Sequence, residues 1–445
     1  MTVRDVKIFA LLFAALALAG CNQGQKAPLR TNAYVVNVAP DFAALGYRRE
    51  QTDQIDSLDF KGVVKHDYGA DTYDFFVYQR TLTNDTLGSW TFTKQLVSDK
   101  NYVFVLAEAG GQVSPQIVEY PVKIANSGDS QFVVMHAGEN LPTMDVYITP
   151  AGTGIVGAAP RGTLSFLGQT AATTLTNGTY DITLTAAGDP STVLFTSSTV
   201  NLAADTTNVF VITPEGGAGT ETMSIAAVQD SSYVLYSTNA TSALRVINAA
   251  GDQQPRDVAI NHEFSPPLFP SAAYATATAY QQVPVSTTLP VTATPPGNPG
   301  VLELDTTTAT YPGQKASLLL TGPTGTLALL FADDDGRRIV KEAKVRYIAA
   351  ATQFATATDF VLLPPGTADQ TTIAARTTLV APAASTGYDP VVPGTYELLL
   401  REVGTNTVRA GPITVNLVEG GLYTILSLNG ADGTTSSVAF LDDQP

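Results

Sequence analysis

Short apolar runs alternate with turn-forming residues along the chain after residue 30. The runs are rich in β-branched and aromatic residues, and Gly, Pro, Asn or Asp interrupts them about every eight to twelve residues, as in chains of antiparallel strands. No long amphipathic helix is predicted. The pattern therefore predicts an all-β protein in which pairs of sheets pack through their apolar faces, with alternate Thr, Ser and Asp side chains facing water.

Three sequence marks recur in the same order along the chain, which predicts duplication. The first is an opening apolar run at residues 34–37, 132–135, 244–247 and 345–348. The second is a run that begins with Thr at positions 72, 179, 288 and 395, which differ by 107, 109 and 107 residues by subtraction. The third is a closing apolar run at residues 102–105, 209–212, 317–320 and 423–426. Chance rarely repeats three marks at one spacing.

The repeat divides the chain into four units, at residues 31–126, 127–240, 241–342 and 343–445. Each unit has the size of an immunoglobulin-like sandwich of about seven strands. We therefore predict four tandem immunoglobulin-like antiparallel β-sandwich domains, strung together as a rod. Only one cysteine, Cys21, is present, so each domain is expected to be stabilised by apolar burial without disulfides.

The first twenty residues have the features of a secretory leader. Arg4 and Lys7 precede an apolar run at residues 8–19, which is too short to span a bilayer. The run ends in Leu-Ala-Gly before Cys21, and this resembles the lipobox of bacterial lipoproteins. The alternative is an ordinary signal peptide with a cysteine nearby by chance. The resemblance implies cleavage of residues 1–20 and a covalent lipid on Cys21, the only cofactor expected.

Residues 21–30 would then form a flexible tether between the lipid and the first domain. Asn22 follows the cysteine, which in Gram-negative bacteria resembles the outer-membrane sorting class. The prediction is therefore a lipoprotein of the bacterial cell envelope, and the resemblance places it in the outer membrane, either periplasmic or exposed at the surface.

Charge narrows the range of partners. The chain has 24 Lys and Arg against 40 Asp and Glu, a formal net charge of −16. Such acidity argues against nucleic acid and against anionic lipid headgroups as partners. Contact with the membrane is therefore expected only through the lipid anchor, and the expected partners are an envelope protein or a polysaccharide.

Unit two carries a set of motifs in a distinctive order: 135–137 (Met-His-Ala), 145–147 (Asp-Val-Tyr) and 178–180 (Gly-Thr-Tyr). This order resembles the "domain of unknown function 4397" repeats of bacterial cell-surface lipoproteins and secreted proteins. Units three and four keep parts of the pattern, and unit one is the most divergent. The resemblance implies a fold and a location, and it brings no established activity.

No constellation of catalytic residues emerges from the sequence, and we predict that the chain is not an enzyme. His66, His136 and His262 lie in different repeats, and His136 stands where another repeat has Asn248, which favours a structural hydrogen-bonding role. The sequence contains none of the known catalytic or metal-binding motifs that we considered, so we assign no catalytic residue and no metal ligand.

Two features allow alternative interpretations. Asp333, Asp334 and Asp335 offer carboxylates for Ca²⁺ between units, although a solvated turn next to Arg337 is the favoured reading. Trp90 could stack on a sugar ring, although a lone Trp in a strand-rich unit is more often part of the core.

The sequence therefore predicts a non-catalytic, lipid-anchored envelope protein with a structural, spacer or binding role. The alternative is a carbohydrate- or polymer-binding surface module.

Overall fold

The computed structural model describes residues 30–445, except residues 51, 82–84, 217–221, 323–324, 352–356, 368–374, 380–383, 404, 406, 431–434 and 444–445. The predicted leader, Cys21 and most of the tether lie outside the described residues. The described part of the chain forms 35 strands and no helix. None of its residues therefore belongs to a helix that could span a bilayer.

The first two predicted units contain eighteen strands. The strands of unit one are β1 (Arg30–Asn37), β2 (Ala44–Arg49), β3 (Thr52–Asp59), β4 (Val63–Gly69), β5 (Thr72–Arg80), β6 (Thr86–Gln95), β7 (Lys100–Ala109) and β8 (Gln112–Pro121). Those of unit two are β9 (Asp129–His136), β10 (Met144–Pro150), β11 (Gly162–Leu164), β12 (Thr173–Thr176), β13 (Gly178–Ala186), β14 (Asp189–Thr196), β15 (Val200–Leu202), β16 (Thr207–Pro214), β17 (Met223–Val228) and β18 (Tyr233–Leu235).

The last two predicted units contain the other seventeen strands. Those of unit three are β19 (Ser242–Asn248), β20 (Arg256–Ile260), β21 (Phe269–Ala272), β22 (Gln281–Val283), β23 (Leu289–Thr294), β24 (Leu304–Thr308), β25 (Lys315–Thr321) and β26 (Ala328–Asp333). Those of unit four are β27 (Ala343–Ala349), β28 (Thr358–Leu363), β29 (Thr377–Leu379), β30 (Ala384–Ser385), β31 (Asp389–Val391), β32 (Gly394–Glu402), β33 (Val408–Leu417), β34 (Leu422–Asn429) and β35 (Ser436–Asp442).

Each stretch of strands forms two sheets. In unit one the first sheet has the order β4-β1-β7-β8 and the second the order β3-β2-β5-β6, and unit three repeats this arrangement as β22-β19-β25-β26 and β21-β20-β23-β24. Units two and four add short strands to the same plan. The predicted all-β sandwich fold is confirmed.

One pairing in each unit is parallel, which the wholly antiparallel prediction missed. The opening strand of the unit lies parallel to its closing strand, as in β1 with β7 and β19 with β25. A parallel pair needs a long crossover connection, and the strands of the second sheet supply it. Hydrophobic periodicity identifies strands but does not encode the direction of their partners.

Every pair of sheets encloses its own core. In unit one, Val35 and Phe104 of the first sheet meet Phe75 of the second, all fully buried, and the Phe75 and Phe104 ring centroids lie 4.8 Å apart. Separate clusters of buried residues fill units two, three and four. The unit boundaries themselves stay a prediction, but each pair of sheets lies within one predicted unit, apart from β1, which begins one residue before unit one.

The outer faces of the first sheets are apolar, contrary to the expectation that they face water. Val36 and Val105 of unit one pack against Val133 and Val211 of unit two, and these four residues are at most 2% exposed. The opening and closing runs are continuous rather than alternating in hydrophobicity, which is the signature of strands buried on both faces. Units one and two therefore lie face to face.

Units three and four pack in the same way. Ile247 and Leu319 of unit three meet Ile348 and Leu426 of unit four, and all four are fully buried. The predicted rod of successive domains is therefore wrong, because the sheets that would face water in a rod are covered by the next unit.

The segment at residues 334–341, between the last strand of unit three and the first strand of unit four, runs across unit one. Arg337 Nη1 donates hydrogen bonds to the carbonyls of Pro40 (3.2 Å) and Phe42 (3.1 Å), and the Val340 amide donates to the carbonyl of Asp41 (2.8 Å). This segment therefore joins the second pair of units to the first.

Candidate interdomain cleft and the clasp beside it

Two buried arginines occupy equivalent positions in units three and four. Arg245 lies on β19 and Arg346 on β27, each on the outer face of its first sheet, and they are 3% and 0% exposed. Arg245 Nε donates to Ser317 Oγ (2.8 Å), and Arg346 Nε donates to Thr424 Oγ1 (3.2 Å) on the neighbouring strand. Both cations therefore sit inside the interface between the two units.

Two aspartates complete this arrangement, again at equivalent positions. Asp334 follows β26 and accepts hydrogen bonds from the Tyr280 hydroxyl (2.6 Å) and Ser317 Oγ (2.7 Å). Asp443 follows β35 and accepts from the Tyr388 hydroxyl (2.8 Å) and Thr424 Oγ1 (2.5 Å). Each carboxylate is thus held by its own unit.

The ion pairs cross between the units. Arg245 Nη1 of unit three lies 2.8 Å from Asp443 Oδ1 of unit four, and Arg346 of unit four pairs with Asp334 of unit three. We call Arg245, Arg346, Asp334 and Asp443 the clasp. Each unit supplies one arginine and one aspartate to the clasp. The two units are therefore joined by two Arg–Asp ion pairs, one in each direction.

Tyrosine rings cover the two cations. The Arg245 guanidinium lies 4.9 Å from the Tyr280 ring centroid, and that of Arg346 lies 4.8 Å from Tyr388. Burial and the adjacent carboxylates raise the pKa of both tyrosines, so their hydroxyls stay protonated as donors. Burial opposes the charge on Arg245, but Asp334 and Asp443 outweigh it and raise its pKa. The clasp is therefore an ion-pair network buried within the interface.

A second ionic group lies next to the clasp. Asp335 Oδ2 is 2.8 Å from Arg337 Nη2 and 2.8 Å from Lys344 Nζ. Burial opposes ionisation of Asp335, but the two cations prevail and lower its pKa to about 2. Burial lowers the pKa of Lys344 to about 8, with Asp335 opposing the shift. Both groups are charged at neutral pH.

A cleft of about 560 Å³ opens between units one and four at this point. Unit one contributes Asp56, Asp59 and Arg80 to its wall, unit four contributes Tyr388 and Asp389, and the ionic group of Asp335, Arg337 and Lys344 closes one side. Carboxylates and cations both line the cleft, and Phe60 adds an aromatic surface. Its volume is in the range of small-molecule sites, so this cleft is the candidate functional site.

The structure gives each residue of the predicted calcium cluster a different protein partner. Asp333 Oδ1 accepts from Gln314 Nε2 (2.6 Å), Asp334 belongs to the clasp, and Asp335 pairs with Arg337 and Lys344. Within the described residues, no group of three or more His, Cys, Asp or Glu side chains could hold a metal ion. The calcium site therefore stays a prediction that these contacts do not support.

Trp90 lies away from the candidate cleft. It is half-buried on the core-facing side of β6, where its ring makes an edge contact with Phe42 at 5.5 Å, and Nε1 donates to Gln112 Oε1 (3.3 Å). This placement agrees with the favoured alternative, a core residue. The stacking role of Trp90 stays a prediction.

His136 makes the structural hydrogen bonds that the sequence favoured. Its Nε2 lies 3.0 Å from the Pro142 carbonyl, and its Nδ1 accepts from the Gly138 amide (3.3 Å). Asn248 does the same in unit three, where its Oδ1 accepts from the Ala250 amide (3.1 Å). Burial lowers the pKa of His136, which keeps the ring neutral. At this position of the repeat, the side chain of His136 or Asn248 thus accepts a hydrogen bond from the backbone amide two residues later.

The motif aspartates also have structural roles. Asp145 Oδ2 accepts from the Gly188 amide (2.8 Å), and Asp257 Oδ2 accepts from the Gly297 amide (2.8 Å). In unit four, Asp359 Oδ2 accepts from Arg401 Nη2 (3.2 Å) instead. The Asp of each motif therefore ties down a neighbouring turn or strand.

The sequence interpretation missed the clasp arginines, although a signal for them exists. Both opening runs of the second pair carry an arginine in their middle, at residues 244–247 (Leu-Arg-Val-Ile) and 345–348 (Val-Arg-Tyr-Ile), whereas the opening runs of units one and two do not. A charge repeated inside an apolar strand predicts a buried partner, since an unpaired buried charge is very costly.

Comparisons with known proteins give limited matches. No curated protein matches this chain. One solved structure that matches it is that of the Bacillus anthracis TIE protein, at 12% sequence identity over 89% of this chain and 67% of that chain, with a TM-score of 0.15. A likeness at that score carries no argument about fold or function. Residues 242–360, which cover unit three and the start of unit four, match the family described as "Domain of unknown function (DUF4397)", and this confirms the resemblance predicted from the repeats.

Proposed function

We propose that this chain is a non-catalytic protein of the bacterial cell envelope, in which a lipid on Cys21 anchors a rigid body of four sandwiches. The observation that carries the proposal is the clasp with its flanking interfaces. The most deeply buried ionisable groups between units three and four are paired with each other across the interface. They serve the assembly of the body and are not available as acids, bases or nucleophiles.

The rigid body suits a structural or spacer role. Face-to-face packing of apolar sheets resists bending far better than a short polar linker, because separating the units would expose buried valines and leucines to water. A body of this kind keeps its surfaces at fixed positions relative to one another and to the anchored end.

A second candidate function is a carbohydrate- or polymer-binding module, the alternative that the sequence left open. The specific observation in its favour is the polar, aromatic-lined cleft between units one and four. A cleft formed by two units distant in sequence requires the rigid body, so the two candidate functions are compatible.

The anchor is tested by comparing the natural chain with Cys21→Ser in a bacterium that processes lipoproteins. We expect radioactive palmitate to label the natural chain, which should fractionate with membranes, and the variant to be unlabelled and released by osmotic shock. Equal fractionation of both chains with membranes would overturn the anchor. The circular dichroism of the two purified chains should be identical, which controls for folding of the body.

A further inference from the structure

Unit one departs from the other units at one particular face, the outer side of its second sheet. Gly46 occupies the position of Asp145, the motif aspartate of unit two. Asp145 pairs with Thr185, and Gly46 pairs with Tyr78. Both partners lie six residues after the repeated Thr (185 − 179 and 78 − 72), so the two pairs are equivalent.

The loss of the aspartate makes room for an aromatic ring. The Tyr78 ring lies directly over Gly46, where a Cβ atom would come within 1.9 Å of it. The Tyr78 hydroxyl donates to the carbonyl of Ile55 (3.1 Å) and to Asp56 Oδ1 (3.3 Å), which fixes the position of the ring. Only glycine fits beneath it, so this departure from the repeat has a defined structural result.

Two arginines stack on aromatic rings of the same face. The Arg48 guanidinium lies 4.7 Å from the Phe76 ring centroid, and that of Arg80 lies 4.3 Å from the ring of Tyr78. We call Arg48, Phe76, Tyr78 and Arg80 the platform. A stacked guanidinium is fixed in orientation, which lowers the entropy lost when its N–H groups bind a ligand.

The hydrogen-bonding capacity of the platform is not fully used. The Nε atoms of Arg48 and Arg80 are buried and have no hydrogen-bond partner among the described residues. Such a donor is costly when it stays buried and unpaired in a protein. Both arginines are only partly buried, so a polar ligand can approach the exposed part of each.

The platform continues into the cleft, because Arg80 lines both. Across the cleft from unit one lie Tyr388 and Asp389 of unit four, and Asp56 and Asp59 provide acceptors on the near side. The wall therefore offers donors and acceptors in comparable number. Sugar hydroxyls both donate and accept hydrogen bonds, and they match such a mixed lining better than a ligand of one charge does.

We propose that the platform and the adjoining cleft bind a saccharide, with Arg48 and Arg80 as donors to its oxygen atoms and Asp56, Asp59 and Asp389 as acceptors from its hydroxyls. The inference rests on the proposed binding role of the body and is independent of the lipid. It places the saccharide site at a face formed by Gly46 and Tyr78 in unit one, away from Trp90.

The test is retention of saccharides by the full-length protein in a neutral detergent. The probes are N-acetylglucosamine oligomers and dextran as neutral saccharides, and polygalacturonate as an acidic one, measured by calorimetry. We expect binding of at least one probe, weakened about tenfold or more in Arg80→Gln and in Arg48→Gln, since each loses a fixed charged donor. Binding of a neutral probe identifies recognition through hydroxyls, and binding of polygalacturonate alone identifies recognition through carboxylates.

The matched control is Arg30→Gln, which removes an exposed arginine on β1 that pairs with Asp67. It should bind as the natural chain does. Absence of binding to every probe, or equal binding by the natural chain and both platform variants, overturns the proposal. Polygalacturonate binding that Arg30→Gln weakens as much as Arg80→Gln would show general charge attraction and would also overturn it. None of these results depends on Cys21, so a failure here and a failure of the anchor are distinguishable.

Discussion

Arg346 is fully buried in unit four, and its charge is paired with Asp334 of unit three. Hydrogen bonds from Nε to Thr424 and the ring of Tyr388 complete its surroundings. Removing one member of such a buried pair leaves the other charge without compensation, which costs more than the pair itself contributes. The clasp is therefore the place where single substitutions should be most destructive.

We expect Arg346→Met to lower the free energy of unfolding by about 3 kcal/mol, because the buried Asp334 would lose its close ion pair and keep only Arg245 Nε, 3.4 Å away, as a cation. Arg346→Met combined with Asp334→Leu should recover much of that loss. Chemical denaturation followed by circular dichroism measures both. Arg30→Met, which breaks the exposed pair with Asp67, is the control and should cost less than about 1 kcal/mol. A similar cost for Arg346→Met and Arg30→Met would contradict the clasp.

Asp335 makes the stability of the body sensitive to acid. Its pKa is lowered to about 2 in the folded chain, below its ordinary value of 3.8, so the folded state favours the ionised form. The resulting stability is present above pH 4 and is lost as pH falls towards 2. Allowing for its partial exposure, we expect a loss of about 1–2 kcal/mol between pH 4 and 2.

Denaturation midpoints at pH 5, 4, 3 and 2 measure this loss, with Asp335→Asn as the comparison. The variant should be less stable than the natural chain at pH 5, and the difference should shrink at pH 2. A difference that stays constant over the whole range would rule out this linkage.

In three of the four units, the repeated strand that opens with Thr carries a tyrosine whose hydroxyl is hydrogen-bonded to the preceding turn. Tyr73, Tyr180 and Tyr396 each donate to the carbonyl four residues earlier, at 3.2, 2.7 and 2.7 Å. This is the arrangement of a tyrosine corner, which pins a strand to the preceding turn. Unit three has Leu289 at the equivalent position, which has no hydroxyl to donate, and Pro290 follows it with a backbone φ fixed by its ring.

Tyr180→Phe and Tyr396→Phe should each lower the free energy of unfolding by about 0.5–1.5 kcal/mol, because each loses one hydrogen bond and keeps the ring. Equilibrium denaturation in urea measures the change. The control is Tyr311→Phe at a tyrosine that is 60% exposed, where we expect no measurable change. If Tyr311→Phe lowers the free energy of unfolding as much as the two corner variants do, the tyrosine-corner hydrogen bond has no special role in stability.

At the scale of elements, much of the fold could be predicted from the sequence. The apolar runs predicted the strands, and the repeat spacing predicted the recurring sheets, because both depend on local patterns. The parallel pairing of β1 with β7 could not be predicted, because side-chain alternation is the same for either direction. The continuous runs at residues 34–36 and 103–107 do carry the signal of burial on both faces, although the same runs also fit strands that are buried on one face only.

The whole molecule is organised by two face-to-face interfaces and one crossing segment. The sequence could not predict which units meet, since Arg337 and Pro40 are 297 residues apart and no local pattern links them. The cleft could not be predicted either, because its walls come from units one and four, which are far apart in the sequence. The acidic turn was recognised, but its partners lie in strands far away in sequence.

Val211→Asp tests the interface between units one and two. Val211 is fully buried between the two outer faces, and a charge there has no partner, so we expect the two units to separate while their own cores persist. Separation should raise the radius of gyration in small-angle scattering and expose the connection at residues 122–128 to proteases. Val156→Asp, at a valine that is 99% exposed, should change neither property.

The most direct test of the account is a crosslink between the walls of the cleft. Cys21→Ser leaves no natural thiol, and Ser57→Cys with Asp389→Cys then places one thiol on unit one and one on unit four. A short bismaleimide should join the two thiols within a single folded chain, and no such crosslink should form when the reagent is added to the chain unfolded in urea. Complete labelling of each thiol without any crosslink in the folded chain would contradict the rigid four-unit body and the cleft that depends on it.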